Sequence, residues 1–102
     1  MIAVIATITV KAGCRDKFLE RFHALMPQVH AEAGCLEYYP SVDVDGGVEL
    51  QGPLREDIVT ILEKWESPAT LQAHLAAAHM EAFRESVAEI VEDLQLQIVA
   101  PA

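Results

Sequence analysis

The chain has 102 residues, enough for one domain, since compact domains run at roughly 100 to 200 residues, and too few for a catalytic domain beside a separate cofactor domain. Sixteen acidic side chains against seven basic ones leave a formal charge of −9, with 52% of residues hydrophobic and only 6% aromatic. A nucleic-acid or anionic-lipid partner is excluded on that balance, because such affinity depends on Lys and Arg neutralising phosphates.

Residues 2–10 alternate, with Ile2, Val4, Ala6, Ile8 and Val10 on one face and Ala3, Ile5, Thr7 and Thr9 on the other. Both faces are largely apolar, which suits a central strand and not a signal peptide. Lys11-Ala-Gly13 breaks the pattern. Lys11, Arg15, Lys17 and Arg21 then mark the solvated face of a helix start. Phe18, Leu19, Phe22, Leu25, Met26 and Val29 recur at helical spacing, which predicts an amphipathic helix over about 14–33, ended by Gly34 and kinked by Pro27.

Alternation returns over 35–43, with Leu36, Tyr38, Pro40 and Val42 on one face, and Pro40 marks an edge strand because proline cannot donate to a ladder. Asp45-Gly-Gly47 signals a turn, residues 48–57 read as a long loop or an extended hairpin arm, and 58–66 as the next strand. Ser67-Pro68 opens a helical region to about residue 92. Its stripes Leu71/Leu75/Ala78/Ala82 and Phe83/Val87/Ile90/Val91 are rotated by roughly 120°, so a break is expected near 78–80. Leu94, Leu96 and Ile98 close the chain in a final amphipathic strand.

The order β-α-β-β-α-β is the split βαβ arrangement of ferredoxin-like α+β folds, a four-stranded antiparallel sheet with its helices on one face. The other face, with Ala3, Ile5, Thr7 and Thr9, is left bare. A second copy is the expected cover, which predicts a homodimer packed sheet to sheet. No stretch approaches the roughly 18 apolar residues of a membrane span. Cys14 and Cys35 lack CxxC spacing, so reduced thiols in a cytoplasm are the expectation.

The chain has no GxGxxG, P-loop or HExxH motif, and no Asn. His23 and His30 read as half-exposed helix-flank residues. His74 and His79 would lie roughly 140° apart on a continuous helix, poor co-ligands for a metal unless the helix break falls between them. Glu63, Trp65, His74, His79 and Phe83 gather around the end of the third strand and the helical break. If they enclose a cavity, they supply an aromatic wall, a base near neutral pH and a carboxylate to orient it. Spacing alone favours Trp65 as a core aromatic and His74 as a helix-edge residue.

Ala31-Glu-Ala-Gly-Cys-Leu-Glu-Tyr38 resembles the E-x-G-C-x-x-Y signature of antibiotic biosynthesis monooxygenase (ABM) domains. Glu63-Lys-Trp-Glu-Ser67, followed by Leu71, His74, His79 and Phe83, resembles their E-x-W-x-S … L-x-x-H-x-x-x-x-H … F stretch. With the opening strand, the resemblance spans nearly all of 1–102 as a single ABM-like domain forming a dimeric α/β barrel. It implies oxygenation of a quinol-like or anthrone-like polyphenol by O2, with no flavin, haem or metal cofactor. His74 or His79 would be the base, Glu63 would hold a histidine or close the pocket, and Tyr38, Trp65 and Phe83 would bind the substrate. Relatives that degrade haem place an Asn, a Trp and a His where this chain has Thr7 or Ile8, His74 and Arg84, so that reaction is not expected. The other reading is a non-catalytic dimeric protein of the same fold that binds small molecules or serves in stress.

Overall fold

The computed structural model describes residues 1–102. Its elements are β1 (Ile2–Val10), α1 (Arg15–His30), β2 (Cys35–Ser41), β3 (Ile58–Trp65), α2 (Pro68–Leu75), α3 (Ala78–Val87) and β4 (Val91–Val99). They form one antiparallel sheet in the order β2-β3-β1-β4. This is the expected ferredoxin-like α+β fold.

The period-2 pattern of β1 decides which face is packed. Ile2, Val4, Ala6, Ile8 and Val10 are buried, and they join Val59, Ile61 and Trp65 of β3 and Tyr38 of β2 in one core. The helices contribute Phe18, Phe22, Leu25 and Val29 from α1, Leu71 from α2, and Met80 and Val87 from α3. All three helices therefore bury their apolar stripes against the same sheet face. Pro40 lies on β2, an edge strand as predicted, where no neighbour requires its missing N–H.

Four boundaries differ from the sequence pattern. Helix α1 stops at His30, short of Gly34, because the chain turns at once: Ala31 donates to Pro27 O and Glu32 to Val29 O. Leu36 does not share the face of Tyr38, because the register shifts between Cys35 and Glu37; Leu36 is exposed and Tyr38 buried. The helix break falls at Ala76–Ala77, slightly before 78–80. The second helical stretch ends at Val87 and not near 92, and strand begins at Val91, paired with Val10. There the free edge of β1 offers Val91 ladder hydrogen bonds, and pairing outweighs helical periodicity.

Residues 42–57 carry no helix or strand. The loop is closed by Asp43, whose carboxylate accepts from the Arg55 backbone N–H, Nε and Nη2 at 2.8–2.9 Å. No helix is long and apolar enough to cross a membrane.

Candidate active site

The turn after α1 and the start of α2 are locked together, and this places the site. Gly34 sits at φ +83°, and a Cβ there would come within 2.4 Å of Thr70 Cγ2. Only glycine allows both the left-handed backbone and that approach. Thr70 is itself the N3 residue of the α2 capping box, exchanging hydrogen bonds with the N-cap Ser67. His74 lies one turn further along, on the same helix face as Thr70. It is thereby pressed against the turn that carries Glu32.

Glu32 Oε2 lies 2.8 Å from His74 Nδ1 and 2.8 Å from His79 Nε2. An ionised carboxylate only accepts, which puts a hydrogen on both of those ring nitrogens. His79 reaches Glu32 because the chain between the two histidines is not one helix. Ala77 is extended (φ −67°, ψ 145°) and restarts the chain as the N-cap of α3. His74 is 1% exposed and His79 21%.

Beside this cluster, between the helices and the sheet, is a cavity of about 310 Å3 lined by 17 residues, 14 of them hydrophobic. The remaining three are Glu63, His74 and Arg84. Phe22 stacks on Tyr38 with ring centroids 5.1 Å apart, Phe83 meets Phe18 and Phe22 edge-on, and Tyr38 meets His74 at 5.3 Å. No buried side-chain nitrogen or oxygen lacks a hydrogen-bond partner. His74 Nε2 has no protein partner, so it is not sealed in, and His74 is one of the residues that line the cavity. Arg84, at the rim, donates to Leu75 O.

Burial sets the electrostatics. Desolvation pushes the Glu63 carboxyl up to about 7, helped by the negative charge of Glu32 and opposed by the hydrogen bond that Trp65 Nε1 donates to Glu63 Oε1 at 2.9 Å. Desolvation pulls His74 below its ordinary value despite the opposing pull of Glu32, so the pair is a hydrogen bond with a neutral imidazole and not an ion pair. The Tyr38 phenol is pushed well above its ordinary range by burial, then by Glu63 and Glu32.

Of the residues singled out from sequence, Tyr38, Glu63, His74 and Phe83 line the cavity. Trp65 does not: it is fully buried behind His74, 4.6 Å from it centroid to centroid, as the core reading would have it. His79 is not part of the cavity wall and meets Glu32 from α3. The carboxylate that holds the histidines is Glu32 and not Glu63, which instead accepts the Trp65 indole N–H. Glu32 stands in the E-x-G-C-x-x-Y signature, but nothing in that local spacing shows that its carboxylate meets two histidines. Arg84 stands out in the sequence only as the counterpart of the His of haem-degrading relatives.

The pattern of the family described as "Antibiotic biosynthesis monooxygenase" matches residues 1–86. The chain belongs to the ABM family. Over 103 aligned residues, 99% of this chain and 98% of the relative, it is 38% identical to the Escherichia coli K12 protein named "Probable quinol monooxygenase YgiN". Among solved structures, this ABM chain is similar to a candidate antibiotic biosynthesis monooxygenase from Nitrosomonas europaea (TM-score 0.83, 20% identity, 99% and 98% of the two chains). It is also similar to PA3566 from Pseudomonas aeruginosa (TM-score 0.81, 23% identity, 99% and 93%). These distant likenesses establish the shared fold. In this ABM chain, β4 extends past the family match to complete the sheet beside β1.

Proposed function

We propose that this ABM protein is a monooxygenase that oxidises a quinol-like or anthrone-like polyphenol with O2, the substrate itself supplying the electrons. The observation that carries the reading is His74, the one imidazole in a cavity wall that is 14 parts in 17 hydrophobic, with its Nδ1 held by Glu32 and its Nε2 without a protein partner. The name of the Escherichia coli relative supports a quinol as the substrate class.

In the proposed reaction the polyphenol slides between the Tyr38 and Phe83 rings, and its hydroxyl donates to His74 Nε2. Proton transfer leaves an electron-rich phenolate and an imidazolium stabilised by Glu32. The phenolate reduces O2 and one oxygen atom joins the ring, while the other leaves as water: quinol and O2 give hydroxyquinone and H2O. Arg84 supplies positive charge at the rim for the developing oxyanion. Glu63, protonated through part of the neutral range, can donate a hydrogen bond to a substrate oxygen.

A homodimer belongs to the same reading. Leu94, Leu96 and Ile98 of β4 are 54%, 42% and 53% exposed. Their pairing with Ile8, Ala6 and Val4 puts these residues on the helix-covered face, where a second copy would finish the wall that Leu94 and Leu96 give the cavity. The sheet-to-sheet packing expected from sequence would cover the opposite face, where Ile5 is 42% exposed. Light scattering at micromolar concentration is expected to give twice the chain mass; a stable monomer would refute the dimer.

Oxygen uptake by EDTA-treated protein, measured with a panel of benzoquinols, naphthoquinols and anthrones, tests the activity. At least one is expected to raise uptake above the spontaneous rate, and His74→Ala to lower kcat by about 100-fold or more. If none does while the same compounds still bind, the protein is a binding module and the oxygenase reading fails.

A further inference from the structure

The geometry points to a divalent transition-metal site made by Glu32 Oε2, His74 Nδ1 and His79 Nε2. The three donor atoms all lie within 4.8 Å of one another, and two of the three separations are 2.8 Å. Around a Zn2+ with bonds of roughly 2.0–2.2 Å, tetrahedral donors stand roughly 3.4 Å apart. The two short separations need to open by about half an ångström, within reach of side-chain torsions.

The donor set is two imidazoles and one carboxylate, which suits zinc, cobalt or nickel and leaves coordination positions for water. Calcium and magnesium are disfavoured, because they prefer oxygen ligands. His79, 21% exposed, gives the ion a way in, while His74 is fixed by its contact with Trp65. The helix break that sequence spacing required for the two histidines to act together falls at Ala76–Ala77, between them.

Metal binding alters the cavity wall. Each ring nitrogen that now carries a hydrogen toward Oε2 must surrender it to the other nitrogen of its ring or to solvent. For a neutral His74 the hydrogen moves from Nδ1 to Nε2, the nitrogen without a protein partner. Nε2 then becomes a donor and stops being a base, so occupancy removes His74 as a proton acceptor.

Calorimetry of the full chain, stripped with EDTA, dialysed and titrated with ZnCl2, tests the site without any organic substrate. One ion per chain is expected with micromolar or tighter affinity, weakened about tenfold or more by His79→Ala and by Glu32→Gln, and unchanged by His23→Ala and Cys35→Ser. Absence of binding at tens of micromolar Zn2+ overturns the site. So does binding that survives both ligand substitutions, or that is lost in Cys35→Ser and kept in His79→Ala. Long-range 1H–15N spectra read the switch directly: Zn2+ is expected to move the His74 hydrogen to Nε2. A zinc-loaded protein whose His74 Nε2 stays unprotonated overturns the switch.

Discussion

Glu63 is a buried carboxyl next to a cavity, and its replacement by Gln isolates what burial does to it. The residue is 9% exposed. Its one hydrogen bond comes from Trp65 Nε1, which an amide oxygen can equally accept. In the folded protein the carboxyl titrates at about 7 against an ordinary value of 4.5. Between those values the folded state keeps a proton that the unfolded chain has released. A group held up in this way destabilises the fold as pH rises from about 4.5 and reaches its full penalty above about 7. A difference of 2.5 units at 1.36 kcal/mol each makes that penalty about 3 kcal/mol. Urea denaturation of wild type and Glu63→Gln at intervals from pH 4.5 to 8 measures it, and subtracting the two curves removes every group they share. Glu63→Gln is expected to gain about 3 kcal/mol on wild type as pH rises across that window, with most of the change between pH 5 and 7. A difference that stays flat with pH would show that the folded carboxylate is well solvated, and the account of the cavity's electrostatics would fall.

Glu32→Ala strands the Nδ1–H of His74, a residue 1% exposed, without an acceptor. A loss of about 1–3 kcal/mol in urea denaturation is expected, together with reduced oxygen uptake; unchanged stability would mean that the hydrogen bond is not formed. Gly34→Ala forces a side chain into left-handed backbone and onto Thr70, 2.4 Å from its Cγ2. That should cost about 2–4 kcal/mol, read by the same method, and no loss would refute the locked turn. Ser67→Ala removes the α2 cap and is expected to cost about 1 kcal/mol, a fall in Tm of roughly 4–8 °C by calorimetry; an unchanged Tm would show the cap to be idle.

Local patterning carried most of the fold. The alternation of Ile2 to Val10, the spacing of Phe18, Phe22, Leu25 and Val29, the edge proline and the Ser67-Pro68 start each depend on neighbours a few residues away, and all four are in the structure. Two of the four departures lie where sheet pairing competed with periodicity, at the bulge beyond Cys35 and at Val91, and the other two at helix ends, at His30 and at Ala76–Ala77. The site was less legible. His74 and Tyr38 stood out by type and signature, but Trp65, equally conspicuous, packs behind the cavity and not on it.

What the sequence determined by itself is the kind of fold and the presence of a histidine and a carboxylate near its helical break, because propensity and hydrophobic period act over one or two turns. Only the tertiary structure decided that Glu32, 42 and 47 residues from His74 and His79, binds both while Glu63 serves Trp65. Those pairings depend on where the turn at Gly34 meets Thr70. The protonation of Glu63 and His74 depends on how much water the packed helices exclude, and no local pattern of residues encodes either quantity.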